Sequence, residues 1–211
     1  MTLRRLLLAI ALLPAIAQLN AANPVKTDAK TNSKPSANTS SIVVGGGCFW
    51  CIEAVFQRVD GVKKIVSGYS GGTVPNPTYD QVRTKMTGHA EVVRVEFDPA
   101  KVKLDTLLDV FFAAHDPTTP NQQGADKGPQ YRSVIFYAND AEKAAAEAAK
   151  VRAKKEWSDP IVTEIAPLKE FYAGEAEHQN YFNLNKNRNP YCSVVIAPKL
   201  QKLIHKGVIK E

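Results

Sequence analysis

Cys48 is the residue whose surroundings promise most chemistry. It lies in Gly45-Gly46-Gly47-Cys48-Phe49-Trp50-Cys51-Ile52-Glu53, after the β-branched run Ile42-Val43-Val44 and before Ala54-Val55-Phe56. That pattern reads as a strand, a glycine turn and the first turn of a helix. A thiol at a helix N-terminus faces unpaired backbone N–H groups and the positive end of the dipole, which favour the thiolate and lower its pKa toward neutrality. Phe49 and Trp50 add large apolar side chains that a turn does not ordinarily carry, an apolar surface for a bound group beside the sulfur. An average cysteine among aromatics is a small core hydrophobe. The glycine triplet, which lets backbone approach a bound group closely, favours the reactive reading here.

Cys48 and Cys51 form a C-x-x-C pair, and Cys192 is the third cysteine of the chain. Three thiols close one disulfide and leave one over, so at least one is free or reactive. Zinc is poorly supported, because no second pair of cysteines or closely spaced histidines accompanies the first. Glu91 opens the alternating run Val92-Val93-Arg94-Val95-Glu96-Phe97. It is a general acid if apolar neighbours raise its pKa and a surface carboxylate if it lies on an edge, and both readings stay open. Gly68-Tyr69-Ser70-Gly71-Gly72 spells G-x-S-x-G, the nucleophile turn of serine hydrolases, but Pro75 and Pro77 follow where such a turn needs a helix. His178 reads as a structural histidine.

Periodicity supplies the elements that must hold these groups. Residues 62–70 read as a strand, 77–82 as the start of a short helix and 92–97 as a half-buried strand. Leu104, Leu107, Leu108, Phe111 and Phe112 have the spacing of an amphipathic helix, ended by Asp116-Pro117. The loop over 116–130, rich in Pro and Gly, is long enough to suggest function. Residues 131–137 return as a strand, Asn139 and Glu142 fit a capping box for an alanine-rich helix, and 161–165 form another strand. A helix is predicted over 176–185, and Leu200, Leu203 and Ile204 suit one side of a short final helix.

Residues 1–17 carry Arg4 and Arg5, an apolar run and an Ala15-Ile16-Ala17 end, the pattern of a cleaved secretory signal. The run is too short to span a membrane. Residues 18–41 hold almost nothing apolar to bury and read as a disordered linker, leaving 42–211 as one domain. Five bases against one acid in residues 1–41 account for +4 of the formal +6, so the domain is near neutral and no nucleic-acid surface is indicated.

Five short motifs in order resemble the A-type peptide methionine sulfoxide reductases: Gly-Gly-Cys-Phe-Trp at 46–50, Ser-Gly-Tyr at 67–69 with Gly71-Gly72, Asn-Pro-Thr-Tyr at 76–79, Gly-His-Ala-Glu at 88–91 and Gln-Tyr-Arg-Ser at 130–133. The resemblance spans the domain to about Lys199. It implies an α+β fold, a two-layer α/β sandwich with a ferredoxin-like core and irregular surrounding segments, and reduction of the S epimer of methionine sulfoxide, free or in proteins. Residue by residue, it implies Cys48 as nucleophile, Phe49 and Trp50 as the pocket for the substrate methyl, and Glu91 as the acid at the sulfoxide oxygen. Tyr79 and Tyr131 match the hydroxyls that hold that oxygen, and Asp126 matches a carboxylate a few residues before Tyr131.

Cys192, in Pro-Tyr-Cys, resembles the C-terminal cysteine that resolves a Cys48 sulfenic acid and is preferred for that step. Cys51 stands where many members have Gly and is the runner-up or a relay; Pro129 is a second departure from the family pattern. No bound cofactor and no metal are implied. Electrons are expected from an external thioredoxin-like protein which, for the exported, periplasmic location expected from residues 1–17, lies on the same side of the membrane, where the enzyme would repair oxidised exported proteins. The alternative activities are thiol–disulfide exchange through Cys48 and Cys51 and, behind it, the Ser70 hydrolase.

Overall fold

The computed structural model describes residues 39–211, so the expected signal segment and nearly all of the expected linker lie outside the described residues. The first strand, β1 (Ser40–Gly46), begins two residues before the expected domain start, because Ser40 and Ser41 pair in register with Phe97 and Glu96 of β3 (Ala90–Phe97).

Two interleaved β-α-β units make the core. β1 leads through α1 (Phe49–Phe56) to β2 (Val62–Ser70), and β3 leads through α3 (Leu104–Ala114) to β6 (Ser133–Tyr137). β3 pairs antiparallel with both β1 and β2, and β6 pairs antiparallel with β1. The resulting order β6-β1-β3-β2 is the ferredoxin-like arrangement. The edges are extended by β7 (Glu164–Pro167), parallel to β6 after the crossover helix α4 (Asp140–Ala153), and by β8 (Phe171–Ala173), antiparallel to β2. The loop over 116–130 contains a small hairpin, β4 (Gln122–Gln123) and β5 (Asp126–Lys127).

Alternation in β1 sends Ile42 and Val44 to the helical face and Val43 to the other, where it meets Val92, Val134 and Phe136 beneath Leu168 and Phe171. α1 is the central helix: seven of its eight residues are buried, so it is clasped on nearly every side. α3 buries Leu107, Leu108, Phe111 and Phe112 as its spacing requires. Ala146, Ala149 and Ala153 are the small buried face of α4, which packs on α3. Thr78 and Gln81 form a reciprocal capping box that starts α2 (Tyr79–Arg83).

Three local expectations change. The strand over 131–137 begins at Ser133, because Pro129 starts a 3₁₀ turn through Tyr131. The strand over 161–165 lies instead at Glu164–Pro167, in register with β6. The helix over 176–185 is broken into a 3₁₀ turn at Ala176–His178 and α5 (Tyr181–Asn185), with Asn180 left-handed at φ 53° between them. The break has a cause on α1. The buried carboxylate of Glu53 accepts the N–H groups of Asn180 (2.6 Å) and Tyr181 (2.9 Å), which a continuous helix would have spent on its own carbonyls. Beyond it, a π-helical turn at Cys192–Ile196 runs into α6 (Ala197–His205), whose Leu200 and Leu203 are buried.

Candidate active site

The turn from β1 into α1 fixes the position of Cys48. Gly47 has φ +97°, and Cys48 is the N-cap of α1, its carbonyl accepting the N–H of Cys51 at 3.0 Å. A Cβ on Gly47 would come within 2.6 Å of Gln123 Cγ in the β4–β5 hairpin. Gly47→Ala is therefore expected to cost about 1–2 kcal/mol from backbone strain alone. By displacing the sulfur, it should also lower kcat/KM at least about tenfold, read by thermal melting and steady-state rates.

Glu91 lies at the start of β3, 1% exposed, and its Oε2 accepts the N–H of Phe49 at 3.1 Å, beside Cys48. Its other oxygen, Oε1, has no partner among the described residues. Burial pushes the carboxyl up to about 8, against the Phe49 hydrogen bond and with help from the charges of Asp126 and Cys51. At neutral pH the group is mostly a neutral acid. With Oε2 accepting from Phe49, its proton belongs on Oε1, where nothing in the protein uses it. Burial and then the charge of Glu91 push Tyr79 up to about 12 and raise Tyr131 as well, so both phenols remain hydroxyl donors. The edge-carboxylate reading of Glu91 is thus excluded by its burial.

An aromatic cluster stands beside these donors. The Phe49 ring lies 6.1 Å from Tyr79, stacked, and 6.2 Å from Trp50. Trp50 in turn stacks on Tyr181 at 3.7 Å with the planes 3° apart, and its Nε1 donates to His178 Nδ1 at 3.2 Å. His178 is a structural histidine, as read, and its structural role is in the wall of this cluster, 4.2 Å from Tyr79 between ring centres. Glu175 accepts from Tyr79 N (2.7 Å) and Tyr69 Oη (2.8 Å); burial acts to raise this carboxyl, but those hydrogen bonds hold it below the usual range. Glu53, Glu175, Tyr181 and Tyr191 were not among the expected site residues. Tyr191 next to Cys192 and Glu175 three residues before His178 carried the sequence hint, chemistry-bearing residues close together in an otherwise irregular stretch.

All three cysteines are free thiols and buried. Against the expectation of a ready Cys48 thiolate stands burial, which pushes this thiol well above its ordinary value; Cys51 and Glu91 add to the rise, and the backbone N–H of Trp50 opposes it. Desolvation outweighs the helix terminus. Cys51 is held at about 7, first by its hydrogen bond with Cys48, against burial, and then by Lys199 and Tyr191. Cys51 Sγ is 3.7 Å from Tyr191 Oη, which donates to Asp126 Oδ2 at 2.6 Å. Asp126 thus joins the site through the hairpin. Cys192 is 0% exposed, raised by burial and by the field of Cys51.

Ser70 does not form a nucleophile turn. It ends β2 fully buried, its hydroxyl donates to the Glu170 carbonyl at 2.6 Å, and α2 starts only at Tyr79. Ser70→Ala is expected to leave turnover within about twofold and to cost about 1 kcal/mol of stability for the lost hydrogen bond, measured by denaturant melts. Among the described residues, no group of three or more His, Cys, Asp or Glu is arranged to hold a metal, and no helix is long and apolar enough to cross a membrane. A cavity of about 960 Å³ between α3, α4 and α6 is lined by His115, Gln123, Trp157 and Lys199 among others, but by none of the cysteines.

A neutral carboxylic acid, two phenols and a thiol around an aromatic cluster suit a polar oxygen carried next to an apolar group. The comparison with known sequences matches residues 40–211 to the family described as peptide methionine sulfoxide reductase. The chain belongs to that family. It is 54% identical over 157 residues to the peptide methionine sulfoxide reductase MsrA of Ruthia magnifica, covering 74% of this chain and 93% of that one. It is 49% identical over 173 residues to MsrA 1 of Rhodopirellula baltica, covering 82% and 88%. Among solved structures, Mxr1 of Saccharomyces cerevisiae in its reduced form superposes with TM-score 0.71 at 35% identity, over 76% of this chain and 93% of that one. Mxr1 in complex with Trx2 gives 0.52 at 30% identity, over 72% and 91%. The enzyme is an A-type methionine sulfoxide reductase, an oxidoreductase, on the expected α+β fold.

Proposed function

We propose that this reductase acts on the S epimer of methionine sulfoxide, free or within polypeptides, with Cys48 as nucleophile and Glu91 as acid. One observation carries this reading: the buried carboxyl of Glu91, with Oε1 unpartnered, beside the N-cap sulfur. The substrate methyl packs against Phe49 and Trp50, while its oxygen takes hydrogen bonds from Glu91, Tyr79 and Tyr131. Those donors draw electrons from sulfur toward oxygen and make the sulfur electrophilic. Cys48 attacks that sulfur as Glu91 passes its proton to the oxygen; the oxygen then transfers to the Cys48 sulfur while both its bond and the new Cys48 bond to the methionine sulfur break, so methionine leaves with Cys48 as sulfenic acid. The proton lost by the Cys48 thiol returns to Glu91, which is neutral again when methionine has left.

Resolution condenses the sulfenic acid with a second thiol, releasing water. The coupling of the Cys48 and Cys51 thiols, three residues apart at the start of α1, favours Cys51 for that first attack, with Cys192 taking the disulfide from it by exchange. An external thioredoxin-like protein then reduces the terminal disulfide, a role supported by the existence of the complex of Mxr1 with Trx2. Residues 1–17 support export, which places enzyme, reductant and oxidised substrate proteins in the same compartment outside the cytoplasm, the periplasm in a cell with two membranes. The test is turnover of separated S and R epimers of dabsylated methionine sulfoxide. Consumption of the S epimer alone is expected, and equal consumption of both would remove the assignment.

A further inference from the structure

Cys51 Sγ lies 3.7 Å from Tyr191 Oη and shares the start of α1 with Cys48, whose thiol acts on it electrostatically. Tyr191 is held from several directions: its N–H donates to Asn189 Oδ1 at 2.9 Å and its ring meets Trp50 edge-on at 6.0 Å. Its hydroxyl has one proton, and the 2.6 Å contact spends that proton on Asp126 Oδ2. A phenol that donates to a carboxylate presents lone pairs to its other neighbour, so the 3.7 Å contact is filled by the thiol of Cys51 as donor. The chain therefore runs from Cys51 S–H to Tyr191 O–H to the Asp126 carboxylate. It joins α1, the residue before Cys192 and the β5 strand, and none of its three members belongs to the Phe49–Trp50–Tyr181 ring stack.

We propose that Asp126, acting through Tyr191, is the base that takes the proton of Cys51 when Cys51 attacks the Cys48 sulfenic acid. The inference rests on the reading that Cys51 resolves first. The step balances as follows. The Cys51 proton passes to Tyr191 Oη as the Tyr191 proton passes to Asp126, and the Cys51 electron pair forms the bond to the Cys48 sulfur. The S–O bond of the sulfenic acid breaks, and the departing hydroxide leaves as water with the proton of neutral Glu91. One sulfenic-level sulfur, oxidised by the substrate, and one thiol-level sulfur end as one disulfide and a water, so no further oxidant is needed. The groups facing Cys51 are Cys48, Glu91, Tyr191, Asp126, Lys199 and, more weakly, Cys192.

The experiment is a single turnover without reductant, in which methionine release and the decay of dimedone-trappable sulfenic acid are timed separately across pH. Tyr191→Phe and Asp126→Asn should each slow the decay about tenfold more than they slow methionine release, and should shift the pH dependence of the decay. In a Cys51→Ser background, Tyr191→Phe should add less than about twofold, because its effect passes through that sulfur. Equal slowing of both steps would overturn the proposal by placing the pair in sulfoxide reduction. An undiminished effect of Tyr191→Phe in Cys51→Ser would reduce Tyr191 to a strut for the Cys192 segment. Wild-type decay in Cys51→Ser alone would remove the underlying reading that Cys51 resolves first, while leaving the sulfoxide reductase activity itself intact.

Discussion

Cys48→Ser is expected to leave no more than about one part in 10⁴ of the sulfoxide turnover, measured as loss of the dabsylated S epimer in the presence of excess dithiol. The serine hydroxyl fills nearly the same volume at a site only 7% exposed, so the fold should melt at close to the wild-type temperature. What changes is the chemistry: sulfur is a polarisable nucleophile that can carry an oxygen as sulfenic acid, and a hydroxyl has no comparable oxidised form to pass on to a thiol. Retained turnover in Cys48→Ser would move the nucleophile to Cys51, the neighbouring thiol in the same helix. Mass spectrometry of the wild type after one turnover should show a two-hydrogen loss within the three cysteines and no such loss in the serine variant.

Glu91→Gln should lower kcat/KM by about 10² to 10⁴, the range for loss of a positioned proton donor. Glutamine keeps the acceptor for Phe49 N–H and turns an N–H toward the site, so it preserves a hydrogen bond and removes only the transferable proton. Alanine removes both, and the difference between the two variants separates polarisation of the sulfoxide from protonation. In the wild type, activity depends on the neutral acid, so kcat/KM should fall as pH rises through about 8. That limb should vanish in Glu91→Gln. The stability sign runs the same way: a carboxyl raised from 4.5 to about 8 supports the fold fully below 4.5 and loses that support as pH rises through about 8. Urea melts should therefore show the glutamine protein gaining on the wild type between pH 4.5 and about 8, and parallel curves over that range would show that Glu91 is not held neutral.

Local pattern made the frame legible. The alternation of Val92 to Phe97 and the spacing of Leu104, Leu107, Leu108, Phe111 and Phe112 depend on neighbours a few residues away, and both elements formed as read. The glycine turn before Cys48 was visible for the same reason. The opposite wall of the site was not. Glu175, His178, Tyr181 and Tyr191 sit on short 3₁₀, α and π turns with no sustained period. Their conformation is set by partners about a hundred or more residues away, as when Glu53 takes the N–H groups of Asn180 and Tyr181. The ionisation of Cys48 divides along the same line. A helix terminus can be read from a turn, but the burial that outweighs it is a sum over the whole tertiary surround.

The widened helical turn at Cys192–Ile196 has a consequence for how fast the enzyme can be recharged. Cys192 has no surface in contact with solvent, and its own N–H is tied to the Asn189 carbonyl at 3.0 Å. A macromolecule cannot attack a sulfur it cannot touch, so delivery of electrons by a protein must wait for the carboxy-terminal segment to lift. Turnover with a protein donor is therefore expected to stop rising with donor concentration at a rate matched by amide exchange at residues 192–196.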